Sequence, residues 1–125
     1  MRKKAIYYED ERNQRPVEEF INELGTKTKA KVLARIEFLE ERWQELRRPY
    51  VDTLEEGLYE LRVVFSGNQI RVIYAYMFQD CIVLLHGIIK KTKEVPAQDM
   101  LKAKNRMNDF QIRYNQGQIK LPKTE

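Results

Sequence analysis

Between Leu58 and Lys91 the chain runs in three apolar stretches broken by polar turns: Leu58 to Phe65, Ile70 to Met77 and Cys81 to Lys91. Each is rich in β-branched and aromatic residues, which predicts an antiparallel meander. With Gly67 and Asn68 as the two residues of the first turn, Phe65 pairs with Ile70, Val63 with Val72, Leu61 with Tyr74 and Tyr59 with Tyr76. With Gln79 and Asp80 as the second turn, Tyr76 faces Val83, Tyr74 faces Leu85 and Val72 faces Gly87. All these pairs are apolar, so their side of the sheet is the expected core face. A slip of one residue would exchange the faces and is forbidden by burial.

The reverse face then carries Glu60, Arg62, Arg71, His86 and Lys90, among the apolar Val64, Ile73, Ile82, Leu84 and Ile88. In this register Arg62 lies in a row with Ile73 and His86, and Arg71 is the diagonal neighbour of both, about 7–8 Å away. Like charges at that spacing repel, so an anion is a better reason for them than stability is. The apolar residues on this face require partial cover, and the cations are expected on the uncovered part.

Upstream, Lys4 to Tyr8 is a candidate strand. Pro16 opens a short helix with the stripe Val17, Phe20, Ile21 and Leu24; Gly25 closes it, and Thr26 or Thr28 caps the next. Apolar positions Val32, Leu33, Ile36, Leu39, Trp43 and Leu46 recur every three or four residues and predict a helix over 29–47. These two helices are expected as a hairpin laid on the core face. The loop 50–57 carries Asp52, Glu55 and Glu56, read as a solvated acidic turn because no metal-ligating partner falls at a supporting spacing. After the meander, Pro96 opens a last helix with the packing stripe Met100, Ala103, Met107, Phe110 and Tyr114. The fold class expected is α+β, with an N-terminal helical hairpin on an antiparallel sheet and a C-terminal helix. Residues 1–115 form one domain and 116–125 a disordered tail.

Composition adds constraints. A chain of 125 residues suits one domain with a real core. A net charge of +4 favours an anionic partner without establishing one. The single cysteine, Cys81, excludes an internal disulfide and suits a reducing cytoplasm, where it reads as a small buried apolar residue. No apolar run is long enough to span a membrane, and no signal peptide is visible.

Gly57-Leu58-Tyr59-Glu60-Leu61-Arg62, then Gly67, Arg71 and Tyr74, then Leu84-Leu85-His86-Gly87-Ile88-Ile89-Lys90-Lys91-Thr92, then Pro96 and Ala103-Lys104 resemble the phage-derived, HigB-like branch of the RelE/ParE toxin superfamily. The likeness covers about Tyr7 to Phe110. It implies the toxin of a type II toxin-antitoxin pair: a cytoplasmic, ribosome-dependent mRNA endonuclease (mRNA interferase) that inhibits translation. The implied partners are a helix-turn-helix antitoxin (HigA-like), the ribosome and mRNA, with no membrane, metal or small-molecule cofactor.

RNA cleavage through the 2′-hydroxyl needs a base, charge neutralisation at phosphorus and an acid for the leaving 5′-oxygen. The resemblance places Arg62 and Arg71 as phosphate and transition-state clamps, with Lys91 or Lys90 assisting and Lys93 in the same basic run. His86 is a candidate acid or base by its near-neutral pKa, or a hydrogen-bonded structural residue. Glu60, where RelE has a lysine, is either a general base or the ion-pair partner that holds Arg62, and the second is favoured. Two other functions fit the same residues: a ParE-like gyrase poison that cleaves nothing, and a basic nucleic-acid-binding regulatory module without activity.

Overall fold

The computed structural model describes residues 1–90 and 94–122. Its sheet is built around a hairpin whose turn is Ser66-Gly67, at φ 52° and 81°. Two successive left-handed residues are what a two-residue hairpin needs to match strand twist. Strand β3 (Tyr59–Phe65) therefore meets β4 (Asn68–Met77) with Phe65 opposite Asn68, Arg62 opposite Arg71 and Tyr59 opposite Tyr74. This corrects the expected pairing by two residues. An even shift leaves every side chain on its expected face, because the side-chain period is two.

The next turn, 78–80, begins with Phe78 and Gln79, at φ 56° and 69°. It sets Tyr76 opposite Ile82 and Tyr74 opposite Leu84 in β5 (Cys81–Lys90), one residue off the expected register. An irregularity at Ile73/Tyr74 absorbs the difference, so Ile73 meets His86 and Val72 meets Gly87 as expected. The bulge thus divides β5. Toward the turn, Ile82 and Leu84 share the tyrosine face, while Val83 and Leu85 lie on the other side with Ile73 and Ala75.

Strand β1 (Lys4–Tyr7) pairs in parallel with β5, and β2 (Val51–Thr53) pairs antiparallel with β3, giving the order β1-β5-β4-β3-β2. The expected N-terminal helical hairpin on an antiparallel sheet is overturned by this arrangement. The sheet is mixed, and α1 (Pro16–Asn22) and α2 (Thr26–Arg42) carry the chain from the β1 edge to the β2 edge. Each lies on the sheet: Phe20 of α1 against Gly87, and Val32, Ile36 and Leu39 of α2 in the first core with Leu61, Val63 and Val72. Helix α2 stops at Arg42, short of the expected Arg47, and Gly25 rather than a threonine occupies its N-cap. Leu46, just beyond its end, still reaches the core.

The opposite face is covered as well. Helix α3 (Ala97–Asn115) lays Met100, Ala103, Met107 and Phe110 of its expected stripe on Ile73, Ala75, Val83 and Leu85, while Tyr114, the last of that stripe, stays exposed and stacks on Phe78. Ile119 and Leu121, in the stretch expected to be a disordered tail, pack against this second core. Because α3 covers only part of that face, the strand ends near Arg62 and Arg71 are left beside a cleft.

Candidate functional site

Arg62 and Arg71 are direct cross-strand partners on the α3 face. Two opposed guanidinium groups need counter-charge when water is scarce, and the sequence supplies it within two residues. Glu60 Oε1 lies 2.9 Å from Arg71 Nε, and Glu60 Oε2 lies 3.5 Å from Arg62 Nη2. From the edge strand, Asp52 Oδ2 accepts a hydrogen bond from Arg62 Nη2 at 3.0 Å and also pairs with Arg48 at 2.9 Å. Arg71 donates in addition to Gln69 Oε1 and to the Ile70 carbonyl.

The expected open cationic patch is therefore corrected to an interleaved network of cations and carboxylates. Arg71 is only 5% exposed and Glu60 3%. Charges this buried persist only with a partner at contact distance. Glu60 pairs with Arg62, as the favoured sequence reading has it, and lies closer still to Arg71. Yet the Glu60 Oε1 and Arg71 Nε atoms, like Arg62 Nε, are buried without an aligned hydrogen bond. Their attraction is Coulombic, and their directional bonding capacity is unspent.

These side chains line a cleft of about 660 Å³, walled on one side by Val95 and Met100 and on the other by Arg48 and Asp52. Lys90 is buried close by, in register with Gln69. Burial lowers its pKa, Glu60 opposes that shift, and Arg71 and Arg62 add to it. Lys91 and Lys93, the other two basic residues expected to act here, lie outside the described residues.

His86 does not line this cleft. It sits under α3, with Nε2 2.7 Å from Asp99 Oδ1 and Nδ1 3.1 Å from Arg106 Nη1, which also donates to the Leu85 carbonyl at 2.8 Å. A guanidinium can only donate, so Nδ1 accepts and the proton is on Nε2, facing Asp99. The ring is thus held as one neutral tautomer. Burial lowers its pKa from the ordinary 6.5; the Asp99 hydrogen bond opposes this, and the Arg106 charge reinforces it.

Stability should respond accordingly. Below about pH 6.5 the unfolded chain takes up a proton on this histidine before the folded chain does, so stability falls as pH drops through the folded pKa. Asp52 and Asp109, whose values are lowered by arginine partners, act at more acidic pH. Thermal melts between pH 5 and pH 7 should show the slope in the native sequence and a flatter profile in His86→Asn. An unchanged slope would remove His86 as its source.

Arg48, Asp52 and Gln69 join the site beyond the residues that the sequence indicates. Asp52 belongs to the acidic loop expected as a solvated turn, and only the pairing of β2 with β3 brings it to Arg62. Glu55 and Glu56 from the same loop reach Lys104 of α3 instead. Among the described residues, no group of histidine, cysteine and carboxylate side chains is arranged to hold a metal.

Compared with known families, residues 19–108 match the model for phage-derived Gp49-like proteins (DUF891), a RelE/ParE-like toxin family. The chain belongs to the Gp49-like family. The match spans most of α1 through the middle of α3, including every described residue of the cleft. No curated protein matches the chain. Family membership places this Gp49-like protein among toxin-like proteins related to the RelE-type endoribonucleases, without assigning it to the HigB branch. No helix among the described residues of the Gp49-like chain is long and apolar enough to cross a membrane.

Proposed function

We propose that this Gp49-like protein is the toxin of a type II toxin-antitoxin pair and cuts mRNA on the ribosome, in the cytoplasm. The observation that carries this reading is the direct opposition of Arg62 and Arg71, with the Glu60 carboxylate 2.9 Å from Arg71, at the floor of an open cleft.

A phosphodiester entering the cleft meets two guanidinium groups whose Nε atoms lack aligned partners. Arginine grips phosphate oxygens bidentately and keeps its charge, which suits a transition state in which negative charge grows on those oxygens. Glu60 is displaced from its ion pair by the incoming phosphate and becomes a base for the ribose 2′-hydroxyl. The 2′-oxygen attacks phosphorus, the bond to the 5′-oxygen breaks, and the products are a 2′,3′-cyclic phosphate and a 5′-hydroxyl. The leaving oxygen takes its proton from water or from a group of the ribosome. With guanidinium groups at the phosphate, this route requires no metal. A helix-turn-helix antitoxin is the partner that would silence the protein between inductions.

One feature favours a second reading, a gyrase poison: Glu60 and Asp52 already satisfy much of the arginines' charge. Induction in growing cells separates the two. Cleavage proposes an immediate stop of protein synthesis with transcripts cut inside coding regions. If replication fails first and the transcripts stay whole, the nuclease reading falls.

A further inference from the structure

On the other face of the sheet, at the β2 edge, lies a second cavity of about 680 Å³. Its walls are aromatic: Trp43, Tyr59, Tyr74 and Tyr76, with Arg47 and Arg48 among the other lining residues. The rings brace one another. Tyr59 stacks on Tyr74 with centroids 5.6 Å apart, and Tyr76 stands edge-on to Tyr59 at 5.0 Å and tilted to Trp43 at 5.5 Å. Packed aromatic side chains would ordinarily close up and fill their own volume. Here Tyr59, Tyr76 and Trp43 are only partly buried and border open space.

Two observations say what fits. Tyr74 is fully buried, yet its hydroxyl lacks a well-aligned hydrogen-bond partner, although the Tyr76 hydroxyl is close enough to perturb it. That hydroxyl is sealed from the cavity, so an occupant meets the ring faces of Tyr59, Tyr76 and Trp43, and these suit a flat ring over an aliphatic chain. Moreover, Arg48 and Asp52 line both this cavity and the arginine cleft, so one edge strand separates the aromatic walls from Arg62 and Arg71. Flat rings, joined to phosphates one short step away, describe a nucleotide chain.

We infer that the Trp43, Tyr59, Tyr74 and Tyr76 cavity holds a nucleobase of the same single-stranded RNA whose phosphate lies in the Arg62 and Arg71 cleft. The inference rests on the RNA-cleavage reading for the identity of the strand. Arg47 and Arg48 face the intervening phosphate as the strand passes the sheet edge. Stacking of this kind tolerates any base, because every base has a π-face. The cavity therefore adds grip more than sequence choice.

Trp43 is the sole tryptophan, so its fluorescence reports the cavity directly. The full chain is titrated with a single-stranded RNA tetranucleotide and with the same ribose-phosphate chain lacking bases. The base-bearing strand should quench Trp43 and bind on the order of tenfold more tightly, and Tyr59→Leu should bring it to the abasic affinity while Tyr59→Phe retains the advantage. Equal affinities of the native protein for the two strands, or no quenching, overturn the inference and leave the cavity to a protein side chain. That comparison uses no variant, so misfolding cannot blur it. Base-dependent binding without mRNA cutting on induction would keep the cavity and remove the nuclease; cutting with base-independent binding would do the reverse.

Discussion

Arg71→Lys should leave a folded protein that has lost most of its ability to arrest growth. A lysine keeps the positive charge beside Glu60 but cannot meet two phosphate oxygens at once. Removing one such transition-state contact typically lowers the rate by about a hundredfold to a thousandfold. Arg71→Ala should be at least as inactive, and for two reasons. It removes the clamp, and it strands Glu60, 3% exposed, without the charge 2.9 Å away. Breaking a buried pair from one side costs about 3–5 kcal/mol. The double variant Glu60→Gln with Arg71→Gln separates these effects, since neutralising both partners should recover much of the lost stability and none of the activity. Growth arrest at native potency by the folded Arg71→Lys protein would end the clamp argument. Combining Arg62→Ala with Arg71→Ala should cost less than the sum of the two, because both grip one phosphate.

Gly87→Val should destabilise the fold by about 3 kcal/mol, the upper end for forced overpacking. A Cβ at this position would stand 2.4 Å from Phe20 Cδ2 and 2.8 Å from its Cγ. The second distance matters most: the root of the ring is hit as well as its edge, so turning the ring about Cβ–Cγ cannot clear it, and either Phe20 leaves its rotamer or α1 lifts from β5. For a domain of this size the melting temperature should fall by roughly 10 °C. Phe20→Ala in the same chain should recover part of that loss by removing the obstacle, and a melting temperature unchanged by Gly87→Val would mean that α1 does not rest on β5 at this point.

The reasons for partial legibility lie in particular residues. That Arg62 and Arg71 share a face followed from the period of two and survived an error of two in the register. The turn is ambiguous in sequence because Ser66-Gly67 and Gly67-Asn68 are equally good turn chemistry; the structure selects the first, with Ser66 in a left-handed conformation. In the second hairpin a single irregularity at Ile73/Tyr74 moved Val83 and Leu85 to the α3 side. An apolar run such as Cys81 to Leu85 gives no alternation by which to see a bulge, because both of its faces are buried.

Sequence alone determined the helical stripes, the three long strands, the parity that gathers Glu60, Arg62 and Arg71, and the motif order by which the family is recognised, because all of these are local in the chain or depend only on side-chain period. Tertiary structure decided the rest: the parallel seat of β1 beside β5, Asp52 as counter-charge to Arg62, the contact of Glu60 with Arg71 beside the expected one with Arg62, and the removal of His86 to a clamp under α3. Those outcomes join residues distant in the chain. Their energies come from burial, where an unpaired charge is expensive, and burial is a property of the assembled sheet and helices that no short stretch of sequence carries.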